Sequence, residues 1–359
     1  MSAKLDFSHR LATACIVQGS HGIINLEDRW VVSPKFNYIH PFEEGLGPAQ
    51  ECTGGWGCID CNGGWVIKPI FESLMGFKHS LCPAKRKGKW GLITRKGKWQ
   101  IKPKFDSLFP FKEMLACARL GQLYGFLNPS GKWAIQPIFE VDELKEGFHE
   151  GLARVGKEGL WGLIDTKGAY VVPPVFEDIL GVYSEGKTPA KMEGLWGFID
   201  RLGYWTIPPS FEEVEPFRDN LAKAKTNGKW GFIDKSGSFA IEPDFDNLGN
   251  FHDGLATALK GDKWGFIDQD GRWYIKPEYS KVDIFQDGLA RAKKDGKCGY
   301  IDKMGRWFIA PVYDLIPQSF SEGLAKVQKN NKWGFIDVHG RWVIMPRYEM
   351  IALIPQGSH

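Results

Sequence analysis

The dipeptide Trp-Gly recurs along this chain at an almost constant step, and a chain written that way has to fold as a series of like units. It stands at Trp56-Gly57, Trp90-Gly91, Trp161-Gly162, Trp196-Gly197, Trp230-Gly231, Trp264-Gly265 and Trp333-Gly334. His21-Gly22, Tyr124-Gly125 and Cys298-Gly299 fill the gaps, so the first residues of successive pairs lie 34 to 37 residues apart by subtraction of these positions. A period of this size is the signature of a repeat architecture, in which one unit is too small to bury its own apolar face and has to stack on its neighbours.

Other positions keep the same register. An aromatic residue follows nine positions later, at Trp30, Trp65, Trp99, Trp133, Tyr170, Trp205, Phe239, Trp273, Trp307 and Trp342, and all 15 tryptophans fall in these two columns. A proline comes next, from Pro34 to Pro346, and two residues beyond it stands Phe or Tyr, from Phe36 to Tyr348. A loop then leads to Gly-Leu-Ala or a relative, as at Gly254-Leu255-Ala256.

Residues 254–287 illustrate the unit. Alternation and turn chemistry predict three short antiparallel strands, Leu255–Lys260, Lys263–Asp268 and Trp273–Lys276. Gly261-Asp262 supplies the first turn and Asp268-Gln269-Asp270-Gly271 the second, with Asp bonding the backbone ahead of it and Gly supplying positive φ. Pro277 is expected to end the third strand, and 278–287 to form a connection with a short helical turn. Trp264 and Phe266 share one face of the second strand, Gly265 and Ile267 the other, and a glycine there implies close approach of a neighbouring backbone or ring. The first tryptophan column (Trp56, Trp90, Trp161, Trp196, Trp230, Trp264 and Trp333) is expected to form the repeat core.

The segments GKWGFIDKSG (228–237) and NKWGFIDVHG (331–340) resemble the WG, or KWG, β-repeat family, found mainly in bacterial proteins. The resemblance spans residue 7 to about 354 and implies an all-β scaffold with interaction roles rather than a defined activity. The expectation is one repeat domain, 7–354, of about ten three-stranded antiparallel units in an open, superhelical or solenoid-like array. A closed propeller-like ring is the alternative. The open form is favoured because propeller blades usually carry four strands and longer repeats, and because no terminal strand is evident to complete a distant unit. The altered first unit, with His21 for Trp and Asn25 for Asp, then suits a cap. Residues 355–359 form a tail, and Gly357-Ser358-His359 resembles a cloning scar.

With 46 basic and 43 acidic residues the net charge is only +3, so a nucleic-acid partner is not expected. The densest basic run, Lys85-Arg86-Lys87-Gly88-Lys89, falls where each unit has a turn. No signal sequence or transmembrane stretch is evident and the seven cysteines are scattered, which predicts a cytoplasmic protein with no membrane partner.

No catalytic, metal-binding or cofactor-binding set is expected. The column Asp60, Asp165, Asp200, Asp234, Asp268, Asp302 and Asp337 opens Asp-x-x-Gly turns, with Asn25, Thr94 and Asn128 as substitutes. Cys58 and Cys82 take apolar slots, and Cys58-Ile59-Asp60-Cys61 is a single CxxC, short of a zinc signature. His9, His21, His40, His79, His149, His252, His339 and His359 are spread over different units. Two basic rows recur, Arg154, Lys223, Arg291 and Lys326 in the first strand, and Lys89, Lys229, Lys263 and Lys332 before Trp; they read as a solvated face or as a stripe for an acidic partner. The irregular stretches 140–160 and 181–195, the latter without the Gly-Leu-Ala strand pattern, mark the loop edge where a binding surface is expected. The expected function is a non-catalytic scaffold for another protein. The alternatives are a glycan- or cell-wall-binding module that uses the second aromatic column, and then an enzyme on a propeller-like ring.

Overall fold

The computed structural model describes residues 11–15, 20–140, 147–181, 183–317 and 319–354. His9, His359, the ends of the 7–354 domain beyond 11–354 and the 355–359 tail lie outside them. Among the described residues every regular element is a β-strand, arranged in antiparallel sheets that follow one another along the chain. The fold is the expected all-β tandem array, and no sheet closes on itself into a barrel. Contacts divide the chain into two units, Met1–Gln122 with Phe126–Trp133 and Val312–His359, and Leu123–Gly125 with Ala134–Pro311.

The seventh repeat, in the second unit, shows the pattern. Ala222–Thr226 pairs with Lys229–Ile233, which pairs with Phe239–Phe245. A fourth, short strand, Glu213–Val214, lies on the far side of Ala222–Thr226. It comes from the connection that was expected to hold a helical turn. In repeats eight and nine this strand lengthens to Asn247–His252 and Lys281–Gln286. For repeats three, four and six to nine the preceding connection thus crosses to the next sheet and adds a strand there, so sheet and sequence repeat are out of phase.

Proline does not end the third strand. Trp273–Tyr279 runs through Pro277, and the register shifts between the pairs Trp264–Tyr279 and Phe266–Ile275. Pro277 sits in that bulge on an edge strand, where a missing N–H costs no ladder bond. The bulge also explains the glycine. A Cβ on Gly265 would overlap the carbonyl oxygen of Ile275 and lie 2.8 Å from Pro277 N. Gly231 meets Ile241 O and Pro243 N in the same way, and Gly22, Gly57, Gly91, Gly125, Gly162, Gly197, Gly299 and Gly334 all face the third strand's backbone at this distance class.

Successive repeats are joined by a second device. The Phe or Tyr after the proline packs edge-on against the second aromatic of the next repeat: Phe71–Trp99 at 5.5 Å and 79°, Phe176–Trp205 at 5.4 Å and 81°, Tyr279–Trp307 at 5.8 Å and 85°. Beside it, the turn glycine of one repeat rests on the buried Ile of the repeat before, as Gly271 does on Ile241. Paired alanines such as Ala222 and Ala224 are fully buried and let adjacent sheets approach closely.

In the first unit the chain's end reaches its beginning. Met350–Leu353 pairs antiparallel with Leu11–Cys15, in the register Ala12–Leu353 to Cys15–Met350. The last strand thus takes the place on repeat one that each connection strand takes on the next repeat. Tyr348 makes the same edge-on contact with Trp30, at 6.0 Å and 83°, that joins other neighbours. Two expectations are corrected here: a terminal strand does complete another repeat's sheet, and repeat one is not a cap on a free face. The third strand of repeat one is also long, Trp30–Ile39, and continues as the partner of Gly47–Glu51, so seven strands form one sheet.

Ile351 is fully buried in that terminal strand. Ile351→Ala is expected to cost about 2–5 kcal/mol, read as a lowered urea midpoint; an unchanged midpoint would contradict the terminal pairing. Gly231→Ala is expected to cost about 1–3 kcal/mol, because the obstructing atoms are backbone and cannot turn aside.

Candidate functional site

The aspartate column serves the turns. Asp234 Oδ1 accepts from Ser236 Oγ at 2.6 Å and from the N–H groups of Ser236 and Ser238 at 2.8 and 3.2 Å. These donors, the Ser236 hydroxyl first, hold its carboxyl below the usual range. Asp60, Asp165, Asp200, Asp268, Asp302 and Asp337 accept the same two backbone bonds, and Asn25 and Asn128 stand in for them. Cys58 and Cys82 are fillers: they lie in one apolar cluster, and burial pushes the Cys58 thiol up to about 12. Among the described residues no three His, Cys, Asp or Glu side chains group closely enough to hold a metal ion.

The first tryptophan column is not the buried core. Trp56, Trp90, Trp161, Trp196, Trp230, Trp264 and Trp333 are all half-buried. Most pack against the edge of an apolar cluster, as Trp230 does beside Phe232, Ile241 and Phe245. The buried rings stand elsewhere: Phe198, Phe232 and Phe266 two residues further on, Phe71 and Phe105 after the proline, and Phe77 and Phe217 in the connections. The reason is the register: Trp230 lies opposite Phe245 at the outer end of the second strand, next to the hairpin turn. Its open face is covered by cations, Lys223 at 5.8 Å and Lys225 at 5.7 Å. Arg154 lies 3.5 Å over Trp161, and Lys326 4.4 Å over Trp333. Where the column is degenerate, the smaller residues His21, Tyr124 and Cys298 are buried. His21 Nδ1–H donates to Asn37 O, 2.8 Å away, and the ring begins a series that runs through Tyr38 and His40 to Trp56. Burial lowers the pKa of His40 in that series. His149 and His252 are exposed.

The second aromatic column, which a free ladder would need, is occupied by the joints between repeats. The lysines before Trp are answered within the chain as well: Lys89 by Asp106 at 2.5 Å, Lys229 by Asp246 and Lys332 by Glu349. The stripe is therefore largely self-neutralised. The turn at 85–89 holds as expected, with Lys87 and Gly88 at φ 53° and 74°. Its Arg86, Lys87 and Lys89 border, with Lys102, a groove beside Trp99 and Pro103.

Of the irregular stretches, residues 141–146 lie outside the described residues. Residues 188–192 do form a first strand, Thr188–Met192, with Pro189 and Ala190 facing Phe198 and Gly197, so the lost Gly-Leu-Ala pattern did not remove it.

Three surfaces remain that sequence reasoning missed or under-weighted. The first is the outward side of the third strands. Its side chains alternate, and two of the outward positions repeatedly carry apolar groups: Val66 and Ile70 in repeat two, Ile138 in four, Val175 in five, Tyr274 in eight, Phe308 and Val312 in nine, with Ile138 61% exposed and Phe308 53%. The third strand was expected to end at the proline, so the outward positions beyond it, such as Ile70 and Val312, lay outside that reading. The second is the basic groove at Trp99. The third is a cavity of about 400 Å³ in the tenth repeat, lined by Pro41, Pro317, Ser319, Ser321, Glu322, Leu324, Lys326, Phe335 and Ala352–Ile354.

Comparison with known proteins agrees with this geometry. The family model for the WG containing repeat matches residues 22–51, 56–90, 90–124, 124–161, 161–196, 196–230, 230–264, 264–298, 299–333 and 333–354. No curated protein sequence matches the chain significantly. Among solved structures, a eukaryotic initiation factor aligns over 97% of this chain and 99% of its own at 11% identity, with a TM-score of 0.54, a likeness of fold alone. BamB from Moraxella catarrhalis (14% identity, 72% of this chain and 93% of its own, TM-score 0.38) and the WD40 β-propeller domain of Doa1 (12%, 62% and 88%, TM-score 0.28) are more distant.

Two substitutions check these placements. Phe232→Ala is expected to cost about 3–5 kcal/mol and Trp230→Ala measurably less, by urea midpoint; the reverse order would restore the tryptophan to the core. Asp234→Asn, which keeps the Oδ1 acceptor, is expected to leave the midpoint in place, whereas Asp234→Ala lowers it.

Proposed function

We propose, from the premise that this chain belongs to the WG containing repeat family, that it is a non-catalytic scaffold that binds another protein along the outward side of its third strands. The observation that carries this is the recurrence of exposed apolar side chains at fixed positions on those strands within the second unit, at Ile138, Val175, Tyr274 and Phe308. Single exposed apolar residues are ordinary, but a row at repeat spacing is a surface that a partner covers. The edge itself is guarded against indiscriminate pairing by a proline in every repeat and by neighbouring charges such as Lys68, Lys276 and Glu278. Binding through side chains on a protected edge suits a selective partner better than β-strand addition.

The glycan alternative has less support, because the second-column rings are engaged edge-on with the preceding repeat. A cytoplasmic setting suits seven free thiols, of which Cys15, Cys58, Cys82, Cys117 and Cys298 are buried.

The test is affinity capture from the native lysate, with heat-unfolded chain as control and the double variant Tyr274→Ser, Phe308→Ser as probe. One protein is expected to be retained in near-stoichiometric yield by the native chain. Its affinity for the variant is expected to fall about tenfold or more, as loss of interface anchors does. Equal retention by a variant of unchanged melting temperature would refute this surface.

A further inference from the structure

The tenth repeat departs from its siblings at one charge. In repeats five, seven and nine the cation in the middle of the first strand meets an acid: Arg154 meets Asp178 at 2.8 Å, Lys223 meets Glu215 at 2.6 Å, and Arg291 meets Asp283. Lys223 also donates to Leu248 O at 2.8 Å. Glu215 and Asp283 each follow a valine, Val214 or Val282, that pairs with the second alanine of the first strand. In the tenth repeat the residue at that place is Pro317, after Ile316. Among the described residues the fourth strand is reduced there to a single bridge, Leu315–Gln328. Lys326 thus keeps its place in the strand, stacked over Trp333, and makes no ion pair among the described residues.

What lies in front of it is the cavity of about 400 Å³. Its walls are mainly apolar, with Leu324 and Phe335 buried, and its volume falls in the range of small-molecule sites. Ser319 and Ser321 add hydroxyls, and Glu322 adds a carboxylate. Burial lowers the pKa of Lys326, the direction expected of an ammonium that has lost water and gained no counter-charge.

We propose that this cavity binds a small amphipathic monocarboxylate, its carboxylate taken by Lys326 and its apolar body laid against Leu324, Phe335 and Leu353. A single ammonium balances one negative charge rather than the two of a dianion such as phosphate. The apolar walls ask for an alkyl or aryl body rather than a polar one. The ligand's carboxylate takes the part that Glu215 and Asp283 play in the sibling repeats. This site is independent of the protein-binding surface on the third strands.

The experiment is calorimetric titration of the full chain with octanoate, octanamide and inorganic phosphate. One octanoate per chain is expected, bound at least tenfold more tightly than octanamide and more tightly than phosphate. Lys326→Met is expected to abolish the preference for octanoate over octanamide at an unchanged melting temperature. Equal binding of acid and amide, tighter binding of phosphate, or a preference that survives Lys326→Met would each overturn the proposal. Should Lys326→Met not fold, reductive ¹³C-methylation of the native chain gives a second readout: the dimethyl-Lys326 resonance is expected to shift on saturation with octanoate, and its failure to move would overturn the proposal equally.

Discussion

The structure depends on one steric constraint, the passage of the third strand's backbone over the glycine of the second. The bulge at the proline brings a carbonyl oxygen to the place where a Cβ would stand, in all ten repeats. That contact fixes the register of the two strands, turns the proline's missing donor into an advantage, and aims the following Phe or Tyr out of its own sheet toward the next. It also explains an asymmetry within the signature. Tryptophan is exchanged for His21, Tyr124 and Cys298, while the glycine beside it never changes. A half-buried ring can be replaced by something smaller that sinks inward. A backbone contact admits nothing larger than hydrogen.

From that constraint the stacking follows. Each repeat offers a ring to the next in an edge-to-face pair, and each turn glycine settles on the aliphatic side chain of the repeat before it. The interior is therefore made between repeats rather than within them, as expected of units too small to form a core alone. The tryptophans of the first column occupy the margin of this interior. Lysine and arginine stems from the first strand cover them, which shields a large ring from water while leaving the charge outside.

With the interior held constant, variation collects in a few places. The outward positions of the third strands carry apolar side chains such as Ile138 and Phe308 in some repeats and charged ones such as Asp244 and Arg347 in others. Repeat one lengthens its third strand and replaces Trp by a buried histidine joined to a series of rings. Repeat ten replaces an acid by Pro317 and leaves a lysine facing a cavity. The two altered repeats are the two whose strands meet through Met350–Leu353 and Leu11–Cys15, where a sequence-local connection is replaced by a pairing of distant segments.

The sequence by itself determined the repeat, its first two strands, its turns and the need for glycine after tryptophan, because each is a local requirement of dihedral angle, alternation or hydrogen bonding. Asp234 and Gly237 declare a turn whatever lies around them. Only the tertiary structure decided that Phe232 is buried and Trp230 half-buried, since the two alternate identically and differ in how far each lies from the strand's end. It also decided that the connection is a strand, because a two-residue pairing such as Glu213–Val214 is made with a different sheet and leaves no period in its own segment. The charges were legible as rows, yet their partners lie 8 to 24 residues away, and only folding showed that Lys223 and Arg291 are answered while Lys326 makes no ion pair among the described residues. The pairing of the two chain ends was hidden for the same physical reason: a hydrogen-bonded edge between residues 12 and 353 imposes no local pattern on either segment, so it is written only in space.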